Sequence, residues 1–431
     1  LQRQKHVFPL TKQQQDIFKQ KMLNWVQQFS IFSFLDSNNY ASPHGRYKFL
    51  LAAGAVKTFN EASGGLQELA AFHKMENDWL FGHINYDYKN ALLSRLSSRH
   101  QVKVGFPEIH FFVPEVVLYI EAGSDELIIA SAGHLPADIF KEIENAGITE
   151  AQPLPALSFI SPVSKETYLT TIQKLRQHIA DGDCYEINFC TEGYCENAVI
   201  DPLSVFNKLN ALSPAPFAAF YRLHERYMMC ASPERYLQKN GGTIIAQPIK
   251  GTARRGQTAE DDDNLKKALR NSIKEQAENV MITDLMRNDL ARCCEVGSVQ
   301  VEELFGIYTF PQVHQMISTI SGTLKQGYTF ADALQYSFPM GSMTGAPKVK
   351  VMELIEQYEM SRRELFSGTL GYITPEGNFD FNVVIRSLFY NLASLYLSYQ
   401  AGGAITFDSN AEQEWNEMQL KTWALQRIFN S

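Results

Sequence analysis

Glu275 and Glu278 lie in the run Lys274-Glu275-Gln276-Ala277-Glu278-Asn279-Val280-Met281-Ile282-Thr283-Asp284-Leu285. On a helix they share one stripe with Ile282 and Leu285, because side chains three and four apart meet on a face. The apolar pair aims that stripe at an interior, and the two carboxylates travel with it. Near the end of the sequence Glu414, Glu417, Lys421, Leu425 and Ile428 repeat the arrangement, acidic at the start and apolar at the finish. Two unneutralised carboxylates about 4 Å apart repel by about 4 kcal/mol at an effective dielectric of 20. Four facing one cleft call for a cation. Carboxylate oxygens, completed by water and substrate oxygens, suit Mg2+. Either pair alone also reads as a solvated helix face; the apolar continuation of both stripes favours the cleft.

Ser232-Pro233-Glu234 closes one β-like run and Pro248-Ile249-Lys250-Gly251-Thr252 closes the next, which brings a carboxylate and an amine to one rim. A lysine of ordinary pKa, about 10.4, is almost wholly protonated at neutral pH. Making it a nucleophile costs about 4 kcal/mol. Burial and the neighbouring Arg254 and Arg255 push in that direction and Glu234 pushes back, a conflict resolved if Glu234 takes the proton. His314 alternates with Met316, Ser318 and Ile320 on an expected strand, where a lone histidine is more often a satisfied core residue than a catalyst. Arg386, ending Val383-Val384-Ile385-Arg386-Ser387, requires an anionic partner. Ala401-Gly402-Gly403-Ala404 lets backbone N–H groups approach an anion. Gly341-Ser342-Met343-Thr344-Gly345-Ala346-Pro347-Lys348 is a small-residue loop feeding a helix, without the spacing of a nucleotide-binding loop. A metal, anion donors, an amine and acid–base groups together point to a small polycarboxylate substrate.

The elements that must position these groups alternate without a regular βαβ beat. Thr11 and Gln14 form a capping box ahead of a helix whose expected apolar face is Ile17, Met22, Trp25, Val26 and Phe29. Ser164 caps a helix carrying Tyr168, Ile172, Leu175 and Ile179, stopped by Gly182. Strands are expected through Tyr185–Cys190, Phe217–Arg222, Tyr227–Cys230, Thr243–Gln247 and Val313–Thr319, with a hairpin of Phe379–Tyr390 and Leu395–Gln400 turning near Asn391. One long helix is expected over 259–291. The prolines at 153, 155 and 162 mark a connection between an N-terminal portion, 1–150, and a chemistry-bearing portion, 161–431, within one integrated unit. The fold class expected is α+β with mainly antiparallel sheets.

Composition excludes several functions. At 431 residues, 45% hydrophobic and 20% charged, the chain has ample core. A formal net charge of -8 offers no basic field for nucleic acid or an anionic membrane. No apolar run approaches the roughly 18 residues of a membrane span, and no signal pattern follows Leu1, so a cytoplasmic location is expected. The six cysteines lack C-x-x-C spacing and read as free thiols of a reducing compartment.

PIKGTARRG, ENVMITDLMRNDLARC, FPQVHQMISTISG, FPMGSMTGAPK, FNVVIRS and AGGAITFDS follow one another in the order and spacing of the chorismate-utilising enzymes, the anthranilate synthase component I family. The chain resembles that family densely from 161 to 431 and thinly before. The resemblance implies two packed antiparallel sheets with helices outside and the site between. It implies that Glu278 and Glu417 ligate Mg2+ holding the ring carboxylate of chorismate, with Glu275 and Glu414 just behind, through water or as acid–base groups. Lys421, Tyr372, Arg386 and the Gly402–Gly403 backbone would hold substrate carboxylates, and Thr344 and His314 would lie near the ring.

Position 250 separates the branches: the anthranilate-forming members carry Ala there and the aminodeoxychorismate-forming members carry Lys. Lys250 would attack C2 while the C4 hydroxyl leaves with help from Glu234. Ammonia would then enter at C4 to give 4-amino-4-deoxychorismate, a precursor of p-aminobenzoate and folate. Glu186 occupies the place of the water-activating lysine of isochorismate- and salicylate-forming members, and of a glutamine common in aminating ones. Asn279 replaces a frequent His and Ala404 a frequent Gly. No Leu-Leu-Glu-Ser element is present, so tryptophan feedback is not expected. No cysteine sits in G-x-C-x-G-x-Q, so ammonia is expected from a separate glutamine amidotransferase, or from solution. The alternatives are anthranilate formation with pyruvate release, and a non-catalytic chorismate-binding scaffold.

Overall fold

In a computed structural model of the chain, residues 2–40, 42–148, 153–311 and 313–429 are described. Their strands build two large sheets in which every pairing is antiparallel. The first has eleven strands. It runs from Gln4–Pro9 at one edge through Glu126–Ser131, Val116–Glu121, Tyr47–Ala53, Ile31–Asp36, Phe217–Leu223, Arg226–Ser232, Ser387–Asn391, Tyr396–Ile405 and Glu186–Cys195 to the short strand Gly345–Ala346. The second, of ten strands, begins at Ile249–Arg254 and continues through Val313–Thr323, Thr243–Gln247, Arg235–Asn240, Phe379–Asn382, Thr369–Ile373, Leu80–Ile84 and Ile109–Val113 to Lys57–Asn60. Gln300–Thr309 pairs on the side of Val313–Thr323.

Both faces of the larger sheet are buried, so its strands read as continuous apolar runs rather than as alternating ones. In Ile31–Asp36, Ile31 and Leu35 face the cluster that fills the space between the sheets, while Phe32 and Phe34 face the outer helices. Leu50, Val117 and Met228 of one sheet and Phe81 of the other belong to that cluster, which also takes in Phe111, Leu237 and Phe381 on the opposite face of the smaller sheet. Each such side chain stabilises the fold by about 1.5–3 kcal/mol when fully buried. Outside, the helices Lys12–Trp25, Pro136–Asn145 and Pro202–Leu212 cover the larger sheet. The helices Lys165–Ala180, Lys348–Tyr358 and Ala411–Arg427 pack on Ile187 and Phe189 of its strand Glu186–Cys195.

The α+β architecture agrees with the pattern of the sequence, and three local expectations are corrected. The expected helix over 259–291 is two helices, Ala259–Arg270 and Ile273–Cys293, because Ser272 caps the second by accepting from the Glu275 N–H. In the first helix Ile17 is 44% exposed and Phe18 is the inward residue, with Met22 and Trp25. The expected hairpin turns at Asn391 and pairs Ser387–Asn391 with Tyr396–Ile405, but its first strand does not run unbroken from Phe379. Phe379–Asn382 belongs to the smaller sheet and Ser387–Asn391 to the larger, and the chain crosses between them through Val383–Arg386, with Arg386 at φ +50°. All six cysteines are free thiols, five of them buried.

Candidate active site

The two acidic helices, Ile273–Cys293 and Ala411–Arg427, face each other. Burial raises the pKa of Glu275, and Glu417 on the opposite helix adds to that rise. Glu278 is pushed up to about 7, first by burial and then by Glu186 and Glu275 against the pull of Lys250 and Lys274. Glu414 is raised by burial and by Glu417, although Ser409 Oγ donates to its Oε1 at 2.8 Å. Glu417 alone is lowered, by Lys421 at 2.9 Å. Lys274 senses all four carboxylates, which more than offset the burial that opposes its charge. Apolar packing fixes the direction of both stripes: Ile282, Leu425 and Ile428 are buried.

The same helices meet the glycine segments. Lys421 Nζ donates to Gly402 O at 2.9 Å. A Cβ on Gly403 would lie 3.4 Å from Glu414 Oε2 and 3.7 Å from Lys421 Nζ. Gly251, at φ +91°, brings the Lys250 strand so close to the first acidic helix that a Cβ would sit 2.9 Å from Glu275 Oε2. Gly341 likewise abuts Leu285 and Ile282.

Lys250 is buried where the end strand of the smaller sheet meets the strand Glu186–Cys195 of the larger. Its Nζ lies 2.6 Å from Glu186 Oε1, with the side chains only 9% and 1% exposed. Burial opposes the charge on Lys250, yet Glu186, and behind it Glu278 and Glu234, hold the ammonium above the ordinary lysine range. This corrects the expected pairing: the carboxylate in contact with the amine is Glu186, and the amine rests protonated. Arg254 and Arg255 are occupied by Asp261 and Asp262. The signal for Glu186 lay in the strand itself, where Ile187 and Phe189 pack outward into the helices and leave the acid on the other face.

Glu234 is buried, and burial pushes its pKa up to about 7 despite Ser342, Lys250, the Ile249 N–H and Arg386. It is therefore an acid–base group that carries its proton in part at neutral pH. Arg386 projects from the crossing between the sheets; burial lowers its pKa, and Glu234 is the group that counters this. A guanidinium has the shape and charge to pair with a carboxylate.

Three expected site residues are placed differently. Tyr372 packs against Tyr47, Trp79 and Phe81 and lines a cavity of about 90 Å3 with Arg46, Arg235 and Asp380, in which none of the four helix glutamates takes part. The alternation of the strand Thr369–Ile373 turns it there, so it is not a ligand for a substrate held at the acidic helices. His314 is fully buried with both ring nitrogens engaged, Nε2 by Asp262 at 2.9 Å and Nδ1 by Thr309 at 3.0 Å. It is a satisfied core histidine. Thr344 donates its hydroxyl to Met340 O at 3.1 Å and accepts from Asn188 N–H through its carbonyl at 2.7 Å, so it shapes the small-residue loop.

That loop has an anchor the sequence reading missed. Arg363, 1% exposed, donates to both oxygens of Glu359, to Met343 O at 2.7 Å and to Asn188 O at 2.9 Å, while Glu359 Oε1 accepts from Cys190 N–H at 2.8 Å. One buried ion pair thus ties the loop to the strand that carries Glu186. An i,i+4 Glu–Arg pair resembles any solvated helix face, which hid it.

The donor set fits Mg2+. Four carboxylates, three of them with pKa raised first by burial, present only oxygen. Among the described residues no three His, Cys, Asp or Glu side chains converge into a ready-made metal cluster, so remaining ligands would come from water and substrate.

Residues 17–427 match the chorismate binding enzyme family, and the chain belongs to it. It is 37% identical over 365 residues to the chloroplastic aminodeoxychorismate synthase of Arabidopsis thaliana, a match covering 80% of this chain and 39% of that protein. It is 31% identical over 360 residues to aminodeoxychorismate synthase component 1 of Bacillus subtilis, covering 80% of this chain and 76% of that one. The fold superimposes on anthranilate synthase component I of Streptococcus pneumoniae with a TM-score of 0.77 at 23% identity, over 89% of this chain and 93% of that one. Among the described residues no helix is long and apolar enough to cross a membrane.

Proposed function

We propose that this chain aminates chorismate at C4, yielding 4-amino-4-deoxychorismate for p-aminobenzoate and folate, with ammonia supplied by a separate glutamine amidotransferase. The observation that carries this reading is the buried amine of Lys250, 2.6 Å from Glu186 and within the electrostatic influence of the partly protonated Glu234 and of Glu278. Anthranilate formation needs no nucleophilic lysine at this place. A scaffold would have no use for a buried lysine or for two facing acidic stripes, whose desolvation costs stability.

Glu278 and Glu417 would hold Mg2+, with Glu275 and Glu414 behind them, and when bound it would supply the positive charge that the cleft carboxylates and the substrate's ring carboxylate require. Arg386 and Lys421 orient the remaining carboxylate, with the Gly402–Gly403 backbone alongside. Lys250 first sheds a proton, through Glu186 to solvent. Its Nζ then bonds to C2 as the C4–O bond breaks, and the Glu234 proton converts the leaving hydroxide to water. Ammonia bonds to C4, the C2–Nζ bond breaks with its electron pair returning to the lysine, and the surplus proton on the new amine goes to Glu234.

Incubation with chorismate, ammonium and Mg2+, with mass analysis of the product, tests the reading. Aminodeoxychorismate is expected from the parent and none from Lys250→Ala. Anthranilate with pyruvate, or undiminished turnover by the lysine variant, refutes it.

A further inference from the structure

Ser318, on the strand Val313–Thr323, lies beside two breaks in register. Toward Ile249–Arg254 the register shifts between Ile249 and Thr252, with Gly251 at φ +91°. Toward Gln300–Thr309 it shifts between Glu303 and Gly306, with Phe305 at φ +60°. A bulge re-aims the side chain it carries and takes its backbone out of the ladder. Lys250 lies within the first of these shifts, so ladder bonds alone do not fix its amine 2.6 Å from Glu186. Ser318 joins what the two shifts leave apart. Its N–H donates to Pro248 O at 3.3 Å, and its Oγ accepts from the Phe305 N–H at 3.2 Å. The single hydroxyl hydrogen then goes to Asn279 Oδ1 at 2.5 Å, on the helix Ile273–Cys293.

Asn279 is fully buried. Thr283 Oγ1 donates to the same amide oxygen at 3.4 Å, whereas Asn279 Nδ2 is buried with no hydrogen-bond partner among the described residues. An unpaired buried donor costs stability, and an apolar side chain of similar size would avoid that cost. What the amide contributes is therefore its oxygen. The helix that carries it presses on Gly251, where a Cβ would sit 2.9 Å from Glu275 Oε2. The height of this helix over the strand thus sets where the bulge, and Lys250 with it, can lie.

We propose that Asn279 is a positioning residue for Lys250: through Ser318 it holds the helix Ile273–Cys293 against the bulged strand so that the amine reaches across to Glu186. The proposal rests on the aminating reading for its purpose, though the link itself does not. Without the amide oxygen the bulge is free to shift, and the amine leaves the line of attack on C2. A misplacement of about 1 Å costs on the order of 100-fold in rate, while groups elsewhere still hold the substrate.

The test uses the full chain with Asn279→Leu, Ser318→Val and Ser318→Thr; threonine and valine are close in shape, and only threonine keeps the hydroxyl. With chorismate, Mg2+ and ammonium, kcat should fall about tenfold or more in Asn279→Leu and Ser318→Val, with the KM for chorismate within about threefold of the parent. Ser318→Thr should retain most of the parental kcat. The unfolding midpoint of Asn279→Leu should equal or exceed the parent's, because the unpaired donor is gone. Without substrate, trace acetylation read by peptide mass should modify Lys250 faster in Asn279→Leu and Ser318→Val than in the parent or Ser318→Thr. An unchanged kcat in Asn279→Leu, a KM that rises as far as kcat falls, or a kcat loss accompanied by a lowered midpoint in that variant would overturn the link. So would equal losses in Ser318→Thr and Ser318→Val, or parental labelling of Lys250 in every variant. Absence of any aminated product from the parent would instead overturn the proposed function, and the labelling and the midpoint would still decide the link.

Discussion

Replacing Arg363 by alanine isolates the contribution of one buried charge to the site's frame. The side chain is 1% exposed and its partner Glu359 3%. Arg363→Ala removes both bonds to Glu359, those to Met343 O and Asn188 O, and the stacking of the guanidinium 4.6 Å from the Tyr86 ring. Glu359 stays behind, buried, with the Cys190 N–H as its remaining donor. Breaking such a pair from one side costs about 3–5 kcal/mol, a large part of the roughly 5–15 kcal/mol that holds a domain folded. Urea denaturation at neutral pH should show that loss. The pH dependence identifies its origin. Burial already raises the pKa of Glu359, and loss of the arginine raises it further. A carboxyl whose folded pKa exceeds its unfolded value binds its proton more tightly when folded. Its penalty therefore grows as pH rises above about 4.3 and fades as pH falls toward that value. The gap between parent and variant should narrow on acidification. A loss below about 1 kcal/mol, or a gap that does not change with pH, would refute the reasoning. Pairing Arg363→Met with Glu359→Leu should recover much of the stability.

Glu278, which titrates near 7 without a cation, gives a second expectation. Its folded pKa exceeds the unfolded one, so its share of stability declines as pH rises from about 4.3 to about 7. Mg2+ must displace that proton, and calorimetry should find Mg2+ affinity weakening from about pH 8 to about pH 6, a trend lost in Glu278→Gln. Gly251→Ala forces a non-glycine residue to φ +91° with its Cβ 2.9 Å from Glu275 Oε2; denaturation should register about 1–3 kcal/mol, and parental stability would contradict the strain. Tyr372→Phe should leave the KM for chorismate within about threefold of the parent, because Tyr372 lines a different cavity. A tenfold rise would return it to the site.

The parts of this structure legible in sequence are those where one period and one polarity coincide. The two acidic stripes end in Ile282 and in Leu425 and Ile428, and burial of those apolar residues was enough to aim Glu275, Glu278 and Glu414. Arg386 also declared itself, since a guanidinium ending an apolar run needs an anion. Its means of reaching the site, a crossing between sheets rather than an unbroken hairpin strand, was not legible, because turn chemistry does not say which sheet the next strand joins. The partner of Lys250 was misjudged for a related reason. Glu234 is near in sequence, whereas Glu186 arrives through the meeting of two sheet ends 64 residues away. Tyr372 and His314 fail differently. Each matches a motif, and a motif fixes residue type while the alternation of its strand fixes the side it faces.

The first five strands of the eleven-stranded order come from residues before 150, as do the last three of the other order, Leu80–Ile84, Ile109–Val113 and Lys57–Asn60. The seams run between Ile31–Asp36 and Phe217–Leu223 in one sheet, and between Leu80–Ile84 and Thr369–Ile373 in the other. A fragment beginning at the proline-rich connection would keep each chemical group named here and yet carry two raw edges, both long and apolar, each a template for another chain. Such a fragment would aggregate rather than function, which makes the quiet N-terminal third a sealant for the chemistry of the remainder.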